Sequence, residues 1–144
     1  MSARQVFISY AGHDAFEASL LQHAFESLLK AYRVTAWTYQ RDQALSERNV
    51  AAALKRKVKQ SFATVFLVSP TTLNGGAAQW IELGYADAFD IKTFVLLHHI
   101  DYQSLKSAER GVPPLLLASH CTTATEWKRI VAELKNLLAR TKRS

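Results

Sequence analysis

The chain has a single cysteine, Cys121, among its 144 residues. That excludes an internal disulfide framework and fits a reducing compartment. No Cys/His spacing matches a zinc site, so no metal is expected. No apolar run approaches the ~18 residues of a membrane span, and the opening MSARQVF lacks the apolar core of a signal peptide. A cytoplasmic protein without membrane contact is therefore expected. Repeats, low-complexity tracts and linker-like shifts in composition are all missing, which leaves one domain over residues 1–144. The G-x-G-x-x-G fingerprint is missing too, which argues against a redox dinucleotide enzyme.

What is present is ordinary globular material, 49% apolar and 21% charged, in a chain long enough to bury a core unaided. The net charge of +6 gathers in Lys55, Arg56, Lys57 and Lys59 and in the tail residues Arg140, Lys142 and Arg143. No aromatic residues interleave with them as single-strand binding would require. They read as a solvated helix face and a terminus, and a nucleic-acid partner is not expected.

Short apolar runs alternate with amphipathic stretches. Val6-Phe7-Ile8, Val34 to Trp37, Ala63 to Val68 and Thr93 to Leu97 read as strands, the third nearly continuous and so central. Leu115-Leu116-Leu117, after Pro113-Pro114, is the fifth strand candidate. Between them fall helical patterns. Asp14-Ala15-Phe16-Glu17 resembles a capping box ahead of Leu21, Ala24, Phe25 and Leu28. Val50, Leu54 and Val58 follow a polar loop, and Thr123 to Glu126 forms a second capping-box pattern before Trp127, Ile130, Val131, Leu134, Leu137 and Leu138. Strands alternating with helices imply parallel pairing with right-handed crossovers. The expected fold is α/β: a flavodoxin-like five-stranded parallel sheet in order 2-1-3-4-5, with helices on both faces.

Such sheets bind ligands outside the carboxyl ends of their strands. Those ends carry Ser9-Tyr10-Ala11-Gly12, Trp37-Thr38-Tyr39-Gln40, Ser69-Pro70-Thr71 and His98-His99. His98 and His99 read either as general bases or as a polar strand terminus. Past Gly75-Gly76, the stretch AAQWIELGYADAF (77–89) has helical spacing. At ~100° per residue, Ala78, Ile81, Tyr85, Ala86, Ala88 and Phe89 share an apolar arc, with Gln79, Asp87 and Asp90 opposite. Glu82 projects inside the apolar half, where a carboxylate costs several kcal/mol unless it is paired or lines a cleft. A cleft at the carboxyl-end rim is the expected place for it.

FISYAGHD (7–14), TAWTYQRD (35–42), VFLVSPTTL (65–73) and QWIELGYADA (79–88) together resemble the TIR domain across the whole chain. The resemblance implies the flavodoxin-like sheet, self-association for signalling and, in many members, cleavage of NAD by a Glu after the third strand. Glu82 is the matching position, with Trp80 nearby. Two features differ from the family's usual pattern: only Ile81 separates Trp80 from Glu82, and the loop QRDQALSERNV (40–50) contains no Gly. Glu82-Leu83-Gly84-Tyr85-Ala86 is also similar to the catalytic segment of nucleoside 2-deoxyribosyltransferases, which likewise break an N-glycosidic bond with one Glu.

The TIR resemblance implies an NAD nucleosidase, hydrolase or cyclase, acting as a stress or immune effector. The alternatives are a non-catalytic TIR assembly module and a deoxyribosyltransferase-like enzyme. NAD would be the substrate and no cofactor is needed. Tyr10, Trp37, Tyr39 and Trp80 are candidates to stack on its rings, and Ser9, Ala11 and Ser69 line the same rim. Residues 41–49, with Asp42 and Arg48, form a charged segment beside the cleft that suits contact between copies or with a regulatory partner protein.

Overall fold

The computed structural model describes residues 4–38, 47–75, 77–107 and 112–143. Within them five parallel strands, β1 (Arg4–Ser9), β2 (Val34–Thr38), β3 (Ser61–Val68), β4 (Lys92–Leu97) and β5 (His120–Thr123), form one sheet in the order β2-β1-β3-β4-β5. This is the flavodoxin-like arrangement that the alternation predicts. Parallel neighbours need crossovers, and six of the seven helices among the described residues supply them: α1 (Ala15–Leu28), α2 (Glu47–Lys59), α3 (Pro70–Gly75), α4 (Ala77–Ala88), α5 (Tyr102–Ser107) and α6 (Pro114–Ala118), while α7 (Trp127–Arg143) follows β5.

Strand alternation divides the core into two layers. Val6 and Ile8 pair in register with Ala63 and Val65 and face α1 and α7, where Leu21, Phe25, Ile130 and Leu134 are buried. Phe7 points the other way, against Leu54 and Val58 of α2 and Ala86 of α4. Phe66, Val68, Val95 and Leu97 continue that face under Leu83, Leu105 and Leu116. None of these helices is long and apolar enough to cross a membrane.

Several local expectations are corrected. Leu115–Leu117 is helical rather than a strand, because Pro113 sits extended at the N-cap and Pro114 opens a helix at its first position. The fifth strand is His120–Thr123, an edge strand whose HCTT sequence has no apolar run to announce it. Neither capping box forms: Asp14 and Thr123 occupy N-cap positions, but neither side chain caps a backbone N–H of its helix or 3-10 turn; Thr123 Oγ1 lies 3.3 Å from Thr125 Oγ1 instead. Leu28 is exposed and Leu29 takes its place in the core. Finally, α2 begins at Glu47, so the last residues of the expected loop 40–50 are already helical.

Candidate functional site

In this strand order the chain leaves β1 toward β2 on one side, and the later strands build out from β3 on the other. The switch point therefore lies between β1 and β3, where such sheets leave a crevice at their carboxyl ends. Ser9 ends β1 and Ser69 follows β3, and each hydroxyl meets a buried carboxylate. Ser9 Oγ donates to Glu82 Oε1 at 2.6 Å, with Ser9 2% and Glu82 1% exposed. Ser69 Oγ donates to Asp14 Oδ2 at 2.5 Å and lies 2.6 Å from Thr71 Oγ1.

Both contacts have the short O–H···O⁻ geometry of charge-assisted bonds. They differ in what they do. Thr71 Oγ1 also reaches Asp14 Oδ2 at 3.4 Å, and Thr72 Oγ1 accepts from the Ser69 N–H at 3.1 Å. The Asp14 cluster thus ties the turn after β1 to the turn after β3. Ser9 shares its side of the sheet with Phe7 and Phe66, the side on which α4 packs, so its bond to Glu82 joins β1 to α4 across that face.

Glu82 is inside, as its helical position implies, but the buried face of α4 is turned about a quarter turn from the expected arc. Gln79, Leu83 and Ala86 are buried with it, whereas Ile81 is 57% exposed and Ala88 is exposed as well. Gln79, expected in solvent, is fully buried: its Nε2 donates to the Leu67 carbonyl at 3.0 Å. Its Oε1 has no partner among the described residues. The sequence signal for this face was available only as the i, i+3, i+4, i+7 spacing of Gln79, Glu82, Leu83 and Ala86, two of which are polar.

The other candidates disperse. Tyr10 and Ala11 are buried, Tyr10 in the layer beneath α1 and α7, on the opposite face from Glu82. Trp37 stacks on Phe7 with ring centroids 5.2 Å apart, on the Ser9 side of the sheet, and Lys57 Nζ lies 5.8 Å from its ring centre. Trp80 packs against the Phe66, Val68 and Leu83 cluster, on the β3–β4 side of α4. Tyr39 and Asp42 lie outside the described residues, as does the side chain of Arg48, whose backbone is in the first turn of α2. Among the described residues no group of three or more His, Cys, Asp and Glu side chains is arranged to hold a metal ion.

No protein-family profile matches the chain, and no curated protein matches it. Solved structures do. A 2-desoxiribosyltransferase from Leishmania mexicana superposes with a TM-score of 0.60 at 17% identity, over 90% of this chain and 97% of its own. The TIR domains of the activated Roq1 resistosome, which directly recognises the pathogen effector XopQ, superpose with a TM-score of 0.54 at 13% identity, over 96% of this chain and 78% of theirs. The two resemblances carried by the sequence both return as structural neighbours. At these identities the likeness is one of fold, the α/β architecture with a five-stranded parallel sheet.

Proposed function

We propose that this protein is an enzyme that cleaves the N-glycosidic bond of NAD, with Glu82 facing the ribose. The observation that carries this reading is the Ser9–Glu82 pair, a buried, hydroxyl-held carboxylate at the carboxyl end of β1, beside the β1–β3 switch point. Glycosidases that expel an alcohol use two carboxylates, one of them to protonate the leaving oxygen. Nicotinamide leaves from a pyridinium ring instead. As the C–N bond breaks, its electron pair neutralises the ring nitrogen, and no proton is needed. The ribosyl cation left behind is stabilised by one fixed anion in a low-dielectric site. Water then adds at the anomeric carbon and releases a proton, or an adenine nitrogen adds in its place to give a cyclic product. At 1% exposure Glu82 is covered, so turnover requires a neighbouring segment to move aside, a common gating step.

A second reading has its own support. The transferase neighbour is covered over 97% of its length, and Glu82 would serve a deoxynucleoside equally by facing its anomeric carbon. Incubation of the protein with NAD and, separately, with a deoxynucleoside plus a second base, with products resolved by chromatography, decides between them. Nicotinamide release supports the first reading and base exchange without NAD loss supports the second. Inertness toward both substrates leaves the assembly module.

We further propose that the enzyme is a stress or immune effector controlled by assembly. The support is the charge of both signs in the sequence of residues 41–49 and the assembled state of the TIR neighbour. Head-to-tail contact through this segment is heterologous and can extend into filaments. Specific activity then rises with protein concentration, and reversing Asp42 or Arg48 flattens the rise. Activity per molecule that is constant from nanomolar to high micromolar protein contradicts control by assembly.

A further inference from the structure

On the face of the sheet opposite Glu82, α1 and the start of α7 leave a cleft of about 440 Å³ above β3 and β4. Leu67 and Leu96 form its floor, Leu21 one wall and Trp127 the other. Its polar lining side chains are Glu17, His98 and Thr125; the Glu17 Oε2 and His98 Nε2 atoms are 4.0 Å apart, and those two side chains are 31% and 25% exposed. Glu17 stands in the first turn of α1, where the failed capping box leaves it free of its own helix terminus. His98 follows the last residue of β4, and its N–H bonds the Val68 carbonyl at 2.8 Å, which fixes its backbone at the carboxyl rim.

We propose that this cleft is a second ligand site, for a planar heteroaromatic molecule with a neutral hydrogen-bonding edge such as a carboxamide. The volume lies in the range of small-molecule pockets and is too small for a helix or a folded partner. Two helices standing over a flat apolar floor form a slot, and the Trp127 ring gives it an aromatic wall suited to stacking. Glu17 and His98 together set the edge chemistry. The carboxylate only accepts, while the imidazole offers an N–H. A carboxamide matches both at once, its NH₂ donating to Glu17 and its carbonyl accepting from His98. A carboxylate in its place meets the Glu17 charge and is disfavoured. This site is independent of the chemistry proposed for Glu82.

Titration of the full chain with nicotinamide, followed by NMR at the tryptophan indole N–H groups, tests it, because Trp37, Trp80 and Trp127 report separately. Trp127 is expected to shift saturably. Ala24→Leu, which fills the cleft from α1, should abolish the shift, and Glu17→Ala at the exposed mouth should weaken binding about tenfold while leaving the fold intact. Glu82→Gln should leave the Trp127 shift unchanged. The site is ruled out if Trp127 fails to saturate, if Glu17→Ala binds like the wild type, or if nicotinate binds as tightly as nicotinamide.

Discussion

A carboxylate taken out of water must be compensated, and Glu82 receives a 2.6 Å hydrogen bond from Ser9. Bonds to a charged group contribute about 1.5–3 kcal/mol net, and removing a buried partner costs about 1–3 kcal/mol. Ser9→Ala should therefore lower stability by about that amount in urea unfolding. Glu82→Gln keeps the size and the acceptor oxygen, so it should stay folded while nicotinamide release falls on the order of 10²–10³-fold. A Glu82→Gln protein that unfolds would make Glu82 a structural acid and end the catalytic proposal. The sequence was enough to see Glu82 inside an apolar helix half. Its partner was not visible, because Ser9 lies 73 residues away and only the tertiary fold brings the two together. The same limit hid Gln79, whose amide is held by a strand carbonyl rather than by water.

At the scale of elements, periodicity located strands and helices better than it oriented them. Four strands carry recognisable apolar runs, those of β1, β3 and β4 buried on both faces, and these were legible. β5 was not, since an edge strand of four polar or small residues looks like a turn. Helix α4 was legible as a helix, but its burial runs through Gln79, Glu82, Leu83 and Ala86 rather than through Ile81. The difference is measurable: Leu83→Ala should cost about 2–5 kcal/mol as a core truncation, whereas Ile81→Ala, at an exposed position, should change stability by no more than about 0.5 kcal/mol. Equal losses would restore the arc read from the sequence. Helix α5 offers a pH-dependent case. Asp101 Oδ1 accepts from the Ser104 N–H at 2.7 Å, and this bond to the helix start holds its carboxyl below the ordinary carboxylate value. A depressed carboxylate contributes stability above its unfolded value and loses it as pH falls through the folded one. Amide exchange in α5, at Leu105 for example, should quicken in that acidic window, after correction for intrinsic rates, and Asp101→Asn should shift or remove the step.

Over the whole molecule, the formal charge of +6 invites the idea that it draws in an anionic dinucleotide. The fold places much of that charge elsewhere. Arg56, Lys57 and Lys59 occupy the last turn of α2, where cations complement the helix dipole. The Lys57 carbonyl accepts from Ser61 Oγ at 2.7 Å, which puts that turn at the amino end of β3. Ser9, which holds Glu82, pairs with Phe66, five residues along β3 from Ser61, or roughly 17 Å at about 3.3 Å each. That separation is about two Debye lengths at physiological ionic strength and about half of one at 0.01 M salt. For an NAD-cleaving enzyme, substitution of Arg56 and Lys59 by Gln should therefore leave kcat/KM for NAD within about twofold at physiological salt. At about 0.01 M the same variant should fall severalfold below the wild type as long-range attraction is lost. A large loss that persists at physiological salt would mean that α2 touches the phosphates directly, and the substrate would then have to extend along the face shared by α2 and α4 toward the amino ends of the strands.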